Sequence, residues 1–313
     1  MRAALLLGVC GVLAGCGGPG SEWVRADGKT TNALEALHGT GPKDVWAVGE
    51  LGTIIHWNGT AWSVKEAGTS VDLHAVWAVD QANAWAVGEQ GVVLKWNGAT
   101  WSRVDVGSKE SLISVWASAP SDVWVVEDSY PYGDGLLHFD GREWKRRVSN
   151  ARSQPMRVWG TGPSDVWVTL QRDGELMHWT GASWRTETLE IGSYPTCEEL
   201  GAWGAGDLLV LCDVAYKKRV ALKGTGGWKL LPMDEDTLDA SYAWNGIWAA
   251  GSELWAVGNY GRVHRFDGKA WTEELGEDLD LPDLNDVWGS SGADVWAVGD
   301  EGLVIRRASA ASP

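Results

Sequence analysis

The chain has 313 residues, of which 44% are hydrophobic and 22% charged, a composition ordinary for a globular protein. Its formal charge of −16, with no long basic run, excludes the clustered Lys/Arg surface that nucleic-acid binding requires. The 23 tryptophans, against 6 tyrosines and 2 phenylalanines, point to one structural solution used many times.

The first residues read as a targeting segment rather than as fold. Arg2 supplies a short positive region, and residues 3–13 are apolar but too few to cross a bilayer as an ordinary helix. Residues 1–15 are therefore predicted to be a signal peptide. Leu13-Ala14-Gly15-Cys16 resembles the lipobox of bacterial lipoprotein signals. That resemblance implies cleavage before Cys16, a lipid on Cys16, and residues 17–22 as a short tether. It also implies an exported chain anchored in the cell envelope, in the outer membrane of a Gram-negative bacterium. No other segment reaches eighteen apolar residues.

From residue 23 onward the sequence repeats. The motif Asp-Val-Trp, or a close variant, recurs at Trp46, Trp85, Trp124, Trp167, Trp255 and Trp296, with Leu209 in the remaining slot. Successive gaps are 39, 39, 43, 42, 46 and 41 residues, the size of a four-stranded propeller blade. A second series, Trp62, Trp101, Trp144, Trp184, Trp228 and Trp271, mostly follows an aromatic and an Asn/Asp/Thr-Gly turn. A third, Trp77, Trp116, Trp159, Trp203, Trp248 and Trp288, opens the units, with His38 in that place in the first.

Each unit reads as four short β-rich runs separated by Gly, Asn and Asp turns. In the second unit the runs are 73–79, 84–87, 92–96 and 101–106. The last unit starts at Leu284 and stops near Ile305 without a fourth run. Trp23 precedes Leu34 by eleven residues, as Trp62 precedes Leu73. A strand at Trp23 is thus predicted to complete the last blade and remove an open edge. The expectation is an all-β, seven-bladed β-propeller over residues 23–307 with a disordered tail at 308–313.

Trp23, Trp46, Trp62, Trp77, Trp85, Trp124, Trp167, Trp255, Trp288 and Trp296 are expected to be core. Burying one removes about 150–250 Å² from water, worth roughly 4–6 kcal/mol at most. Trp244 belongs to no series and is a candidate ligand contact. Asp44, Asp122, Asp165, Asp207 and Asp294, just before the Val-Trp slot, read as turn residues whose carboxylates accept backbone N–H groups. His56, His138 and His178 share one third-strand site with Lys95 and Arg265, so the site is expected to want an amphipathic side chain, not a metal ligand.

The Asn/Asp-Gly-x-x-Trp turn resembles the Asp-box of BNR-type propellers. The whole unit, Val-Trp-x-x-Gly-Pro-x-Asp-Val-Trp-Ala-Val-Gly followed by Trp-Asn-Gly-x-x-Trp, looks like that of Trp-rich, kelch-like propeller lipoproteins of myxobacteria and related bacteria. The resemblance spans residues 21–307 and implies fold, not activity. Sialidases with Asp-boxes carry a Phe/Tyr-Arg-Ile-Pro signature that is absent here. Neither a Gly-x-Ser-x-Gly elbow, a zinc helix nor a phosphate loop occurs. A non-enzyme without metal or cofactor is expected, with a glycosidase-like propeller the distant alternative.

Variation concentrates in two loop classes predicted to share one face: the connections between blades, and the turns between second and third strands. Most of those turns read Gly-x-x-Gly. Blade three instead has Glu127-Asp128-Ser129-Tyr130-Pro131-Tyr132-Gly133-Asp134, and blade five has Asp213-Val214-Ala215-Tyr216-Lys217-Lys218-Arg219. Tyr130, Tyr132, Tyr216, Lys217, Lys218 and Arg219 are candidate ligand contacts on that face. The expected function is a monomeric cell-envelope binding module for a protein or a glycan, touching the membrane only through its lipid. An envelope assembly or scaffold factor is the alternative. Cys197 and Cys212 are expected to form a disulfide in blade five, with Glu199 or Leu200 opposite Cys212.

Overall fold

The computed structural model describes residues 12–13, 21–128, 135–147, 153–192, 194–204, 207–240, 244–276 and 279–309. Six four-stranded antiparallel sheets and one five-stranded sheet form the seven blades. In blade one the strands are Leu34–Gly41, Asp44–Gly49, Thr53–Trp57 and Trp62–Val64, and sheet order follows chain order. Blade seven takes Leu284–Ser291, Asp294–Gly299 and Val304–Ser309 from one end of the chain and Ser21–Arg25 from the other. The joining register runs from Ser21 opposite Ser309 to Arg25 opposite Ile305. The closing strand begins two residues before Trp23, and residues 308–309, expected in the tail, continue the third strand. Val12 and Leu13 pair with Val24 and Trp23 as a fifth strand on that outer edge. Glu235–Ala240 is the one α-helix among the described residues.

The tryptophans make the seams between blades. In four blades the second-strand Trp packs on the aromatic pair of the next blade. Trp46 meets Trp96 at 4.9 Å and Trp101 at 5.1 Å. Trp296 meets Trp57 and Trp62, Trp85 meets Phe139 and Trp144, and Trp124 meets Trp179 and Trp184. Edge-to-face and tilted pairs at these distances add to the area each ring buries.

The seam between blades five and six inverts this arrangement. Leu209 stands where the others have Trp, and Trp244 stands where the others have Leu, Pro or, in blade five, Cys197. Trp244 is 1% exposed and shares one core cluster with Leu209, Phe266 and Trp271. Its ring lies 4.7 Å from that of Trp271, and its Nε1–H donates to His264 Nδ1 at 3.2 Å. Trp244 is therefore core and not a ligand contact: a large residue on one strand fills the space left by a small one on another.

The first strands surround a central channel, and all seven are bulged at their start. In blade one Leu34 pairs with Gly49 but Ala36 with Val48, which leaves Glu35 as the extra residue. The same shift recurs in the other six blades. A bulge bends the strand and re-aims side chains at that point.

Two faces follow from the strand order. The third-to-fourth turn at Gly59 abuts Lys43 of the first-to-second turn, so both share one face. The second-to-third turn at Gly52 abuts Thr69 of the blade connection on the other. This second, variable face is the end from which every first strand starts.

Candidate functional site at the mouth of the central channel

The channel is a cavity of about 580 Å³ lined by residues from all seven first strands. Its two ends differ in chemistry. The bulged ends, at the variable face, contribute Glu35, His74, Arg157, Glu199 and Asp286. Further in are His38 and the indoles of Trp77, Trp159, Trp248 and Trp288. Trp77 and Trp288, expected to be plain core, are half-buried channel residues. Each packs one side against a blade cluster and turns the rest to the cavity.

The polar groups are held in place. Arg157 Nε lies 2.9 Å from Glu199 Oε1, an ion pair across blades four and five. Asp286 accepts the Leu37 N–H and the Val287 N–H, each at 2.8 Å, and so ties blade seven to blade one. Burial pushes the Asp286 carboxyl up to about 8, and the Glu199 charge adds to the shift. Burial also raises Glu35, reinforced by the carboxylates of Asp300, Glu50 and Asp72 around the mouth. His38 stacks on Trp77 at 3.8 Å, and its Nδ1 accepts the Ala78 N–H at 3.1 Å. Burial pulls this imidazole down to about 3, so it is neutral at physiological pH.

None of Glu35, His74, Arg157, Glu199 and Asp286 stood out in the sequence. The signal was present: the residue that follows the bulge reads Ala36, Ala75, Ser114, Arg157, Glu199, Gly246 and Asp286 around the ring. Four small residues and three charged ones share this position, inside an otherwise repetitive strand, and a departure from a repeat is a signal that strands carry as much as loops.

The predicted loop contacts divide. Tyr130 and Tyr132 lie outside the described residues. Tyr216 is 88% exposed at the tip of blade five. Residues 213–219 do not form a loop. The strands Asp207–Val214 and Lys217–Gly224 meet at a two-residue turn, Ala215-Tyr216, with both φ angles positive. Lys217, Lys218 and Arg219 thus belong to a strand. Lys218 is only 7% exposed and ion-paired with Glu198, so it is not a surface contact. Arg219 is half-buried and donates to the Lys218 carbonyl at 3.3 Å. A disulfide joins Cys197 and Cys212, which sit directly opposite each other, so the register differs by two to three residues from that expected.

The histidines of the third strands have partners the sequence did not reveal. His56, His138 and His178 stack on Trp46, Trp124 and Trp167 at 4.0, 3.9 and 3.9 Å. Their Nε2 atoms lie 2.7, 2.6 and 2.6 Å from Asp44, Asp122 and Asp165. Thr40, Ser118 and Thr161 donate to the same carboxylates. These aspartates bind side chains of the first and third strands, more than a turn residue does. No group of three or more His, Cys, Asp or Glu side chains able to hold a metal occurs among the described residues.

This geometry defines a seven-bladed β-propeller with a polar channel mouth. No family model matches the sequence, and no curated protein matches it. Solved structures share the fold at low identity. YCF48 bound to D1 peptide is 16% identical over 96% of this chain and 100% of that one, with a TM-score of 0.71. A catalytically inactive virginiamycin B lyase from Staphylococcus aureus with quinupristin is 10% identical over 92% and 99%, with a TM-score of 0.75. The WD40 β-propeller domain of Doa1 is 11% identical over 97% and 98%, with a TM-score of 0.69.

Proposed function

We propose that the chain is a non-enzymatic binding module of the cell envelope that captures a segment of a partner protein on its variable face. The observation that carries this reading is convergence: the described blade connections, the exposed second-to-third turn tips and the charged mouth of the channel occupy the same face. The turn tips there expose Leu51 and Tyr260, both at positive φ (54° and 60°), where a bulky side chain is uncommon. YCF48 bound to D1 peptide shows that a propeller of this shape takes a peptide. The lyase shows that the fold also carries catalysis. The non-enzymatic reading rests on the His–Asp pairs at His56, His138 and His178, which are committed to stacking within the blades.

The lipid on Cys16 and the outer-membrane location belong to the same proposal, as does kinship with the Trp-rich propeller lipoproteins. The closing strand starts at Ser21, opposite Ser309, on the short-turn face. With the strand starting at Ser21, the tether is shortened to residues 17–20 and reaches at most about 14 Å. The short-turn face would therefore lie toward the membrane and the variable face away from it.

A photocrosslinker placed at Leu51, Tyr260 or Thr60 in the anchored protein tests this. Leu51 and Tyr260 should yield one discrete partner, and Thr60, on the short-turn face, should not. Equal capture from Thr60, or capture from none of the three positions, would overturn the reading.

A further inference from the structure

The channel mouth holds carboxyl groups that form no ion pair among the described residues. Arg157 and Glu199 neutralise each other. Asp286 is met by two backbone N–H groups, and Glu35 faces three further carboxylates. Neither Asp286 nor Glu35 forms an ion pair among the described residues.

The cavity itself suits an organic ligand. Its volume of about 580 Å³ falls within the range of ligand pockets, and its wall passes from carboxylates to four indoles. Carboxylates give charge-assisted hydrogen bonds to an N–H cation, and indole rings attract the same cation through their π faces. A metal ion fits poorly, because indoles do not ligate and no ligand cluster exists among the described residues. Arg157 already shows a guanidinium accommodated here against Glu199.

We propose that the channel mouth is an organic-cation site that takes the guanidinium or ammonium of a basic side chain presented by the partner protein. This deepens the binding-module reading and rests on it. Glu35 and the acidic rim would draw the cation in, Asp286 would pair with it, and the indoles would pack its alkyl stem. The formal charge of −16 favours approach of a basic partner at long range.

The titratable groups that act on Asp286 are Glu199 and Arg157, and Glu35 and His74 line the same cavity from blades one and two. With the site empty, the Asp286 carboxyl holds its proton up to about pH 8. A bound guanidinium favours the carboxylate, so binding releases a proton, and affinity should rise from about pH 6 to about pH 9.

The test is calorimetric titration of the full mature chain with acetyl-Gly-Gly-Arg-Gly-Gly-amide and with the same peptide carrying neutral citrulline. The arginine peptide should bind at least about tenfold tighter than the citrulline peptide. Asp286→Asn and Glu35→Gln should each abolish that preference, whereas Glu143→Gln on the short-turn face should leave it intact. Equal affinity for the two peptides, or a preference that survives both channel substitutions, overturns the cation site. n-Butylguanidinium binding as tightly as the arginine peptide would overturn the partner-borne source and assign the site to a free small cation. Should Asp286→Asn fail to fold, Glu35→Gln and the pH series on the parent protein decide. If crosslinking from Leu51 captures the same partner in the Asp286→Asn protein, the binding face stands and only the cation site falls.

Discussion

Blade seven keeps the side chains of the repeat but not its continuity, whereas blade five keeps continuity and loses a core tryptophan. In blade seven Trp296 is fully buried, and Ser290, Asp294 and Arg306 reproduce the polar network of blade one with Arg in place of His. Its fourth strand comes from the far end of the chain. The Trp23 Nε1–H donates to Glu274 Oε2 at 2.9 Å, a contact that spans 251 positions of sequence. Arg307 meets the same carboxylate at 3.1 Å. Blade five has four sequential strands, Leu209 in the Trp slot, and the Cys197–Cys212 cross-link. A ring must fill every seam. Blade seven is completed by a long-range contact whose loop entropy is large, blade five by sequential strands and a covalent bond within the blade.

The largest expected effect is therefore at the long-range seam. Trp23→Ala removes a buried ring, its hydrogen bond to Glu274 and the packing against Trp255 and Leu275. A loss of about 3–5 kcal/mol is expected, with the edge of Val304–Ser309 becoming open to aggregation. Trp228, at the same blade position in blade five, is half-buried, so Trp228→Ala should cost less. Urea midpoints for the two variants make the comparison. Equal shifts would show that closure through the N-terminal strand carries no special share of stability.

Reduction of Cys197–Cys212 comes next. The cross-link closes a loop of 15 residues, for which about 3 kcal/mol is expected in the chain-entropy account. Hydrogen exchange should quicken across Asp207–Val214 and Lys217–Gly224 while Asp294–Gly299 in blade seven keeps its protection. Uniform acceleration around the ring would mean that the blades do not open separately and that the contrast between five and seven is only structural.

What was legible in the sequence divides along the same line. Trp46, Trp85, Trp124 and Trp296 announced the seams because one steric requirement recurs at a fixed period. The closing strand was legible because Trp23 keeps the offset of its series. Trp244 was misread because its burial depends on Leu209, thirty-five positions earlier, and no period links the two. Arg157, Glu199 and Asp286 escaped notice because a channel is formed by one residue per blade, and its chemistry exists only when the seven first strands are brought together. The His–Asp pairs were hidden by spacing: twelve residues separate Asp44 from His56, and only the antiparallel register makes them neighbours.

The smallest effect tests whether the third-strand cations do the same work in both blades. Arg306 sits 4.7 Å above the Trp296 ring and 2.7 Å from Asp294, with little exposure on the acid's side. Lys223 lies 5.1 Å over Trp228 and pairs with Glu187, both partners being part-exposed. The Arg pair is a planar charge-assisted contact set in the blade, and its removal in Arg306→Ala should cost about 1–2 kcal/mol. The Lys pair is screened by solvent and anchored by a flexible stem, so Lys223→Ala should cost roughly 0.5–1 kcal/mol. Salt separates them further: at about 1 M NaCl the Lys223 effect should shrink toward zero while the Arg306 effect persists. If both variants lose equal stability and respond equally to salt, the third-strand cation is a generic cover for the tryptophan beneath it. The replacement of His by Arg in blade seven would then carry no compensation for its discontinuous fourth strand.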